Sequence, residues 1–467
     1  EAMGAAPDSA VAELRAALSP EAVVFARGEA GYAEEAAGYN AASKIGADYV
    51  IGIANEDDAV AVVKFAAANH LPIVIGATGH GQYRPLTEGI YLRTHRLNKL
   101  TIDKAAHTYT VGAGLRWFQI LPQIREAGLL AVTGSSASVG IIGLTMGGGV
   151  GPLSRKLGIA ADRIISYRVV TADGEAKVVS KDSYPDLFQA LKGGKVGLAL
   201  VTEATFDALE LEHVYGGGLF FVGDAIEPVY HAWVDWTKTL PVEATTSANI
   251  VRFPPVGVPE IFAGKTVLHI RYGYVDPGAS DEELRERGEA TIAPIRAAGE
   301  VYHDTLTLLA ADELGLIHLD PDGPLPMAVH GAGLIDIDHE FVDTLLSFAG
   351  DGKDIPFVAT EVRHWGHGGE IEAAGANTVN SIGGARQPYH LLTIATPVEE
   401  LFAEAFPAAR DAFYPALAKW AGAETNYNWA GSPDDELWKK LWSPEVAKRL
   451  EAVRAKYDPN HVFTTGH

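Results

Sequence analysis

Short apolar runs and amphipathic stretches alternate along the first half of the chain. Ala47-Asp48-Tyr49-Val50-Ile51-Gly52-Ile53-Ala54 reads as a strand, and Asn55-Glu56-Asp57-Asp58 supplies a cap and an acidic first turn for a helix running to Asn69. Leu71–Ile75 is the next apolar run. A strand, a helix and a strand in that order imply two parallel strands joined by a crossover helix. Further strands are predicted at Gly89–Arg93, Thr108–Gly112 and Ala199–Phe206, with helices at Leu115–Ala127 and Leu187–Leu191. Ile164–Thr171 and Ala176–Val179 flank the turn Ala172-Asp173-Gly174 as a hairpin. Residues 1–40 read as a helix and a loop.

From residue 214 onward the pattern lengthens. Alternating strands are predicted at Thr266–Tyr274, Phe357–His364 and His390–Ile394, separated by amphipathic helices that include Asp281–Ala298 and His339–Phe348. This is the pattern of an α+β layer, an antiparallel sheet with helices on one face. On Phe357–His364 a period of two places Ala359, Glu361 and Arg363 on one face and Thr360, Val362 and His364 on the other. Glu361 and His364 are candidate catalytic groups. Arg363, together with His269, Arg271 and Tyr272 on Thr266–Tyr274, is a candidate for the substrate pocket.

Between the two regions, Thr133–Asp162 (TGSSASVGIIGLTMGGGVGPLSRKLGIAAD) carries eight glycines. Concentrating so much backbone freedom around small hydroxyl residues suits a chain laid bare against a flat or anionic ligand. Upstream, LPIVIGATGHGQY (Leu71–Tyr83) runs a buried-type strand into a tight loop ending Gly79-His80-Gly81. A histidine between two glycines is neither a helix residue nor a core filler. Backbone N–H groups in such loops form anion-binding nests, and Gly76 to Gly81 and Gly134 to Gly140 are the two candidates here.

These segments resemble the berberine-bridge-enzyme-like, or vanillyl-alcohol-oxidase-type, FAD-linked oxidases, whose FAD-binding domain is of the PCMH type. The resemblance rests on the strand and glycine-histidine loop, and then on Gly134, Val139-Gly140, Gly143, Gly147-Gly148-Gly149, Gly151, Ser154-Arg155, Gly158 and Asp162 in order and spacing. It continues through Val169–Glu175, Asp186–Gly194, Leu200–Phe206 and Lys456–Phe463. It implies an α+β fold in which a discontinuous, two-subdomain FAD-binding domain (1–213 and 423–467) encloses a substrate domain (214–422). It further implies FAD held by Gly76, Ala77, Thr78, Gly79, His80 and Gly81, by Gly134, Ser135, Ser138, Val139, Gly140 and Gly143, and by Val201, Asn426 and Asn428. In the family the histidine is commonly bonded to the flavin 8α-methyl carbon, which falls to His80. Many relatives add a cysteine link, but Ser136 stands there and cannot form a thioether, so attachment is expected through His80 alone.

The sequence departs from the family at Gly76 and Thr78, where arginine and glycine are usual, and at Gly197-Leu198-Ala199, where Asn-Phe-Gly is usual. The family's Y-x-N-Y-like motif matches Glu424-Thr425-Asn426-Tyr427-Asn428-Trp429 in two registers, with Asn426-Tyr427 or Asn428-Trp429 as its Asn-aromatic pair. The first is favoured, making Tyr427 a candidate base or orienting hydroxyl. The expected function is an FAD-dependent oxidase that takes a hydride from an alcohol, sugar or amine carbon and passes the electrons to O2, releasing H2O2. A valine at position 139, beside the oxygen-reactive edge of the ring in relatives, favours oxidase over dehydrogenase. A dehydrogenase with another acceptor and a redox-silent or cyclase-like catalyst are the rival readings, with a non-enzymatic binding protein behind them.

Composition narrows the partners. A net charge of −23 argues against nucleic acid and anionic membranes. The absence of cysteine excludes disulfides, thiolate nucleophiles and Fe–S clusters. No apolar run is long enough to span a membrane, and the expected compartment is the cytoplasm, with secretion left open because the native N-terminus is not seen. His364-x-x-His367 lacks further ligands nearby, so no metal is expected. No G-x-G-x-x-G fingerprint for a nicotinamide cofactor is present. A small-molecule substrate and O2 are therefore the expected partners.

Overall fold

The structure, a computed structural model, describes residues 5–37, 45–76, 86–320, 326–366, 371, 380–384, 387–430 and 435–464. Three sheets organise it. The first runs in the order Val23–Ala26, Tyr49–Gly52, Ile90–Arg93, Ile73–Gly76. Tyr49–Gly52 and Ile73–Gly76 are joined by the helix Glu56–Ala68, whose cap is Asn55 accepting from the Asp58 N–H. Both strands run parallel to Ile90–Arg93, which is inserted between them. The strand–helix–strand pattern therefore forms, but its two strands are not neighbours. Val23–Ala26, in the stretch read as loop, adds an antiparallel edge.

The second sheet is antiparallel, in the order Leu100–Asp103, Thr108–Gly112, Leu200–Asp207, Ile164–Val170, Ala176–Val179. The C-terminal segment returns to these two sheets. Leu441, Trp442, Leu450, Val453, Val462 and Phe463 share one hydrophobic core with them, and Ile73 bridges Phe463.

The third sheet has eight antiparallel strands, centred on His213–Val222, Thr266–Tyr274, Ala244–Arg252, Phe357–His364, Tyr389–Ala395 and Val329–Leu334 in that spatial order. One face is apolar. Leu219, Phe221, Ala248, Ile250, Leu268, Ile270, Val362 and Leu391 pack there against the helices Ile226–Thr237, Asp281–Ala298, His339–Ala349 and Ala405–Ala416. His213–Val222 escapes sequence reading because Gly216-Gly217-Gly218 argues against a strand. The glycines are needed for close approach: a side chain at Gly217 would meet the Thr305 carbonyl, and one at Gly218 would meet the His269 ring. No described helix is long and apolar enough to cross a membrane.

Candidate functional site

The other face of the eight-stranded sheet is buried and polar. Register places Ser247 beside both Arg271 and Arg363, Asn249 beside both His269 and Glu361, and Arg363 beside His390. Arg271, Glu361 and Arg363 are each less than a tenth exposed. Glu361 accepts from Arg271 Nη1 at 2.8 Å through one oxygen and from Arg363 Nε through the other. Burial raises the Glu361 carboxyl, but the guanidiniums of Arg363 and Arg271 overcome that and hold it at about 2. A carboxylate so stabilised accepts protons poorly near neutrality, so its environment suits holding the two arginines in place. Arg271 Nε also donates to His269 Nδ1 at 3.0 Å. Burial, and then the arginines, push His269 and His318 well below the usual histidine range and His390 to about 3, so these rings are uncharged.

The glycine-rich segment lies against this face. Arg363 Nη2 donates to Ser135 Oγ at 3.0 Å, and the Arg363 guanidinium lies 4.2 Å from the centre of the Trp429 ring. A gap of about 10 Å³, room for one water, is lined by Gly151, Ser247, Arg271, His318, Arg363 and Trp365 among others. The backbone N–H groups of Ser135, Ser136, Ala137 and Ser138 donate to no acceptor among the described residues. Four successive amides without an acceptor are available to an anion, as the sequence reading of this loop expects. A side chain at Gly143 would point into open space, so the surface beside it is unobstructed. These two features fit a dinucleotide cofactor lying along the segment.

The rest of the glycine signature is structural. Ser154 Oγ accepts from the Gly151 N–H, and Asp162 accepts from the Ile159 N–H. Arg155, fully buried, donates to the carbonyls of Leu240, Pro241 and Ala244, riveting the segment to the third sheet. Gly151 has no room for a side chain because the Thr133 carbonyl occupies that space.

Asn426 and Asn428 buttress the segment: Asn426 Nδ2 donates to the carbonyls of Gly147 and Gly383, and Asn428 Nδ2 to that of Leu144. Tyr427 and Trp429 diverge. Trp429 faces the polar sheet, 4.6 Å from His390. Tyr427 packs on Trp442 and Trp438, with Lys195 Nζ 5.0 Å above its ring. Burial lowers the Lys195 ammonium to about 8, and it donates to Asn428 Oδ1 at 2.9 Å.

The structure thus brings together His269, Arg271, Glu361, Arg363 and Ser135. It places Tyr272 and His364 on the opposite, helix-covered face, where Tyr272 donates to the Gly288 carbonyl and His364 packs on Tyr389. Ser138 is buried beside Ser136, Val139 is half-buried, Gly140 caps the helix Ile141–Met146, and Val201 lies in the core. Gly76 ends its strand, whereas Ala77, Thr78, Gly79, His80 and Gly81 lie outside the described residues, as does His367. His318, Lys195, Ser247 and Asn249 were not foreseen. Lys195 alone had a signal, its place just before the departure at Gly197-Leu198-Ala199. One metal-like cluster occurs among the described residues, Glu227, His231 and Asp343 on the outer helices, away from this face.

Unbonded amides on a glycine-rich segment, facing a buried polar sheet face, define a site suited to an anionic, flat cofactor. Comparison with known proteins agrees. Residues 47–180 match the family described as FAD binding domain. An FAD-linked oxidoreductase of Aspergillus niger, azaL, is 32% identical over 244 residues, 50% of this chain and 50% of that protein. The chain thus matches about half the length of that relative. (R)-6-Hydroxynicotine oxidase of Paenarthrobacter nicotinovorans is 26% identical over 422 residues, 87% of each chain. The carbohydrate oxidase of Microdochium nivale shares the fold, with a TM-score of 0.80 at 16% identity over 97% of each chain. Residues 47–180 thus match an FAD-binding domain, and the chain is similar over most of its length to FAD-linked oxidoreductases.

Proposed function

We propose that this protein is an FAD-dependent oxidase acting on a small organic molecule, with residues 1–213 and 423–467 binding FAD and residues 214–422 roofing the site. The observation that carries this is the facing of the Ser135–Ser138 nest by the buried Arg271–Glu361–Arg363 face. Bound there, FAD supplies a hydride acceptor and a route for two electrons to O2. The nest amides hold its phosphates, and the sheet face excludes water and orients the substrate. His80 is the proposed point of covalent attachment, and Ser136 leaves it the sole one. Val139, half-buried next to the nest, is the residue proposed to leave access for O2, as valine does at this place in relatives. Tyr427, under the Lys195 ammonium, is the proposed proton acceptor or orienting hydroxyl.

The test is spectroscopic. Purified protein should be yellow, and acid precipitation should leave the colour in the pellet. An anaerobic screen of alcohols, sugars, amines and hydroxy acids should find a compound that bleaches the visible flavin bands, and admitted O2 should restore them with release of H2O2. Tyr427→Phe should slow the bleaching by roughly 10²–10⁴-fold while leaving the resting spectrum unchanged. Reoxidation no faster than that of free flavin, with rapid turnover on a dye, would make the protein a dehydrogenase. Colour that no substrate bleaches would make it redox-silent.

A further inference from the structure

The two arginines of the buried cluster differ in how fully they are engaged. Arg363 uses Nε on Glu361, Nη2 on Ser135 and Nη1 toward the Val150 carbonyl. Arg271 uses Nε on His269 and Nη1 on Glu361 and Ser247. Arg271 Nη2 donates to nothing among the described residues, and Arg271 lines the gap beside the glycine-rich segment. His318 lines the same gap, and its Nδ1 is buried without a hydrogen-bond partner. Arg271 and His318 thus line one small space, and each carries a nitrogen that has no partner among the described residues.

The charges point the same way. Two guanidiniums face one carboxylate, and among the described residues neither arginine has another acidic partner. His269, His318 and His390 are uncharged. Among the described residues, Arg271, Arg363 and Glu361 together carry a net charge of +1 in a region where an unpaired charge is costly. Arg363 is the member that touches the glycine-rich segment. Arg271 sits two strand spacings away on the same face, about 10 Å across the sheet.

We propose that the substrate of this enzyme carries an anionic oxygen, a carboxylate being the fitting group, that one such oxygen takes the water-sized gap, and that Arg271 binds it through Nη2 with His318 beside it. This rests on the reading of the site as an FAD-dependent substrate pocket. Glu361 is a positioning residue that holds Arg271 in register. A protonated amine at this point would meet the excess positive charge and be rejected, and a neutral hydroxyl would leave that charge uncompensated.

The holoenzyme's flavin spectrum provides the readout. Oxidised protein is titrated with formate, acetate and benzoate, and in parallel with formamide, acetamide, benzamide and benzylamine. Each carboxylate should perturb the spectrum at roughly 10–100-fold lower concentration than its amide, the ratio expected for a charge-assisted hydrogen bond, with benzylamine weakest. Arg271→Met should erase that preference, and Arg271→Lys should keep part of it. Dithionite should still reduce the bound flavin in every variant. Equal binding of acids and amides overturns the proposal, as does a preference that survives Arg271→Met. A large shift in flavin potential in Arg271→Met, with no change in ligand preference, assigns the charge to the flavin and also overturns it. Protein that binds no FAD fails the earlier reading of function instead, and this proposal falls with it.

Discussion

Glu361 shows how one side chain sets the character of the site. Its two oxygens accept from two guanidiniums on neighbouring parts of the polar face, so neutralising it leaves both cations buried without a counter-charge. Removing one partner of a buried pair typically costs about 3–5 kcal/mol. Glu361→Gln should therefore lower the apparent Tm by several degrees at neutral pH, at a fixed scan rate. The pH dependence has a definite sign. The carboxyl's folded value of about 2 lies below its ordinary value of 4.5, so its contribution is complete above pH 4.5 and is lost as pH falls from there through 2. The variant should lack that part of the acid-induced drop in Tm. A variant as stable as wild type at pH 7, with an unchanged acid limb, would mean that Glu361 does not stabilise the cluster.

At the scale of elements, the Thr133–Asp162 segment serves two purposes. Its first half supplies free amides, while its second half fastens the segment to the sheet through Arg155. Arg155→Met leaves the carbonyls of Leu240, Pro241 and Ala244 buried without their donor. Each such loss costs about 1–3 kcal/mol. The variant should unfold at markedly lower temperature and show faster proteolysis between the helix Ile226–Thr237 and the strand Ala244–Arg252. Unchanged proteolysis and Tm would show that the rivet carries no load. Much of this was legible in the sequence. Order and spacing of the glycines marked the segment, and a period of two put Glu361 and Arg363 on one face. The same period separates Tyr272 from Arg271 and His364 from Arg363, which the structure shows plainly and a list of polar residues hides. Other features were not legible. The glycine strand His213–Val222 violates strand propensity because the backbone there must admit Thr305 and His269. The depression of Glu361 depends on Arg271, ninety residues earlier in the chain, and only sheet register brings the two together. His318 follows a short 3-10 turn (Leu314–Leu316) and has no local pattern at all.

At the scale of the whole molecule, the local and global electrostatics oppose each other. The chain carries −23, yet the buried cluster carries a net positive charge next to the gap it lines. Exposed charges act over a Debye length of about 10 Å at 0.1 M salt and about 30 Å at 0.01 M, whereas a buried group in contact with its ligand is screened far less. An anionic ligand therefore meets repulsion on approach and attraction on arrival. Raising ionic strength from low to physiological should weaken the first and spare the second. With a bulky sulfonate as the salt anion, so that the salt itself does not compete for Arg271, the association rate of benzoate measured by stopped-flow flavin absorbance should rise several-fold across that range. The dissociation rate should change little, and benzamide should respond weakly. A benzoate rate that falls with salt would mean that the approach to the site is positively charged, and that acidic residues are turned away from its mouth.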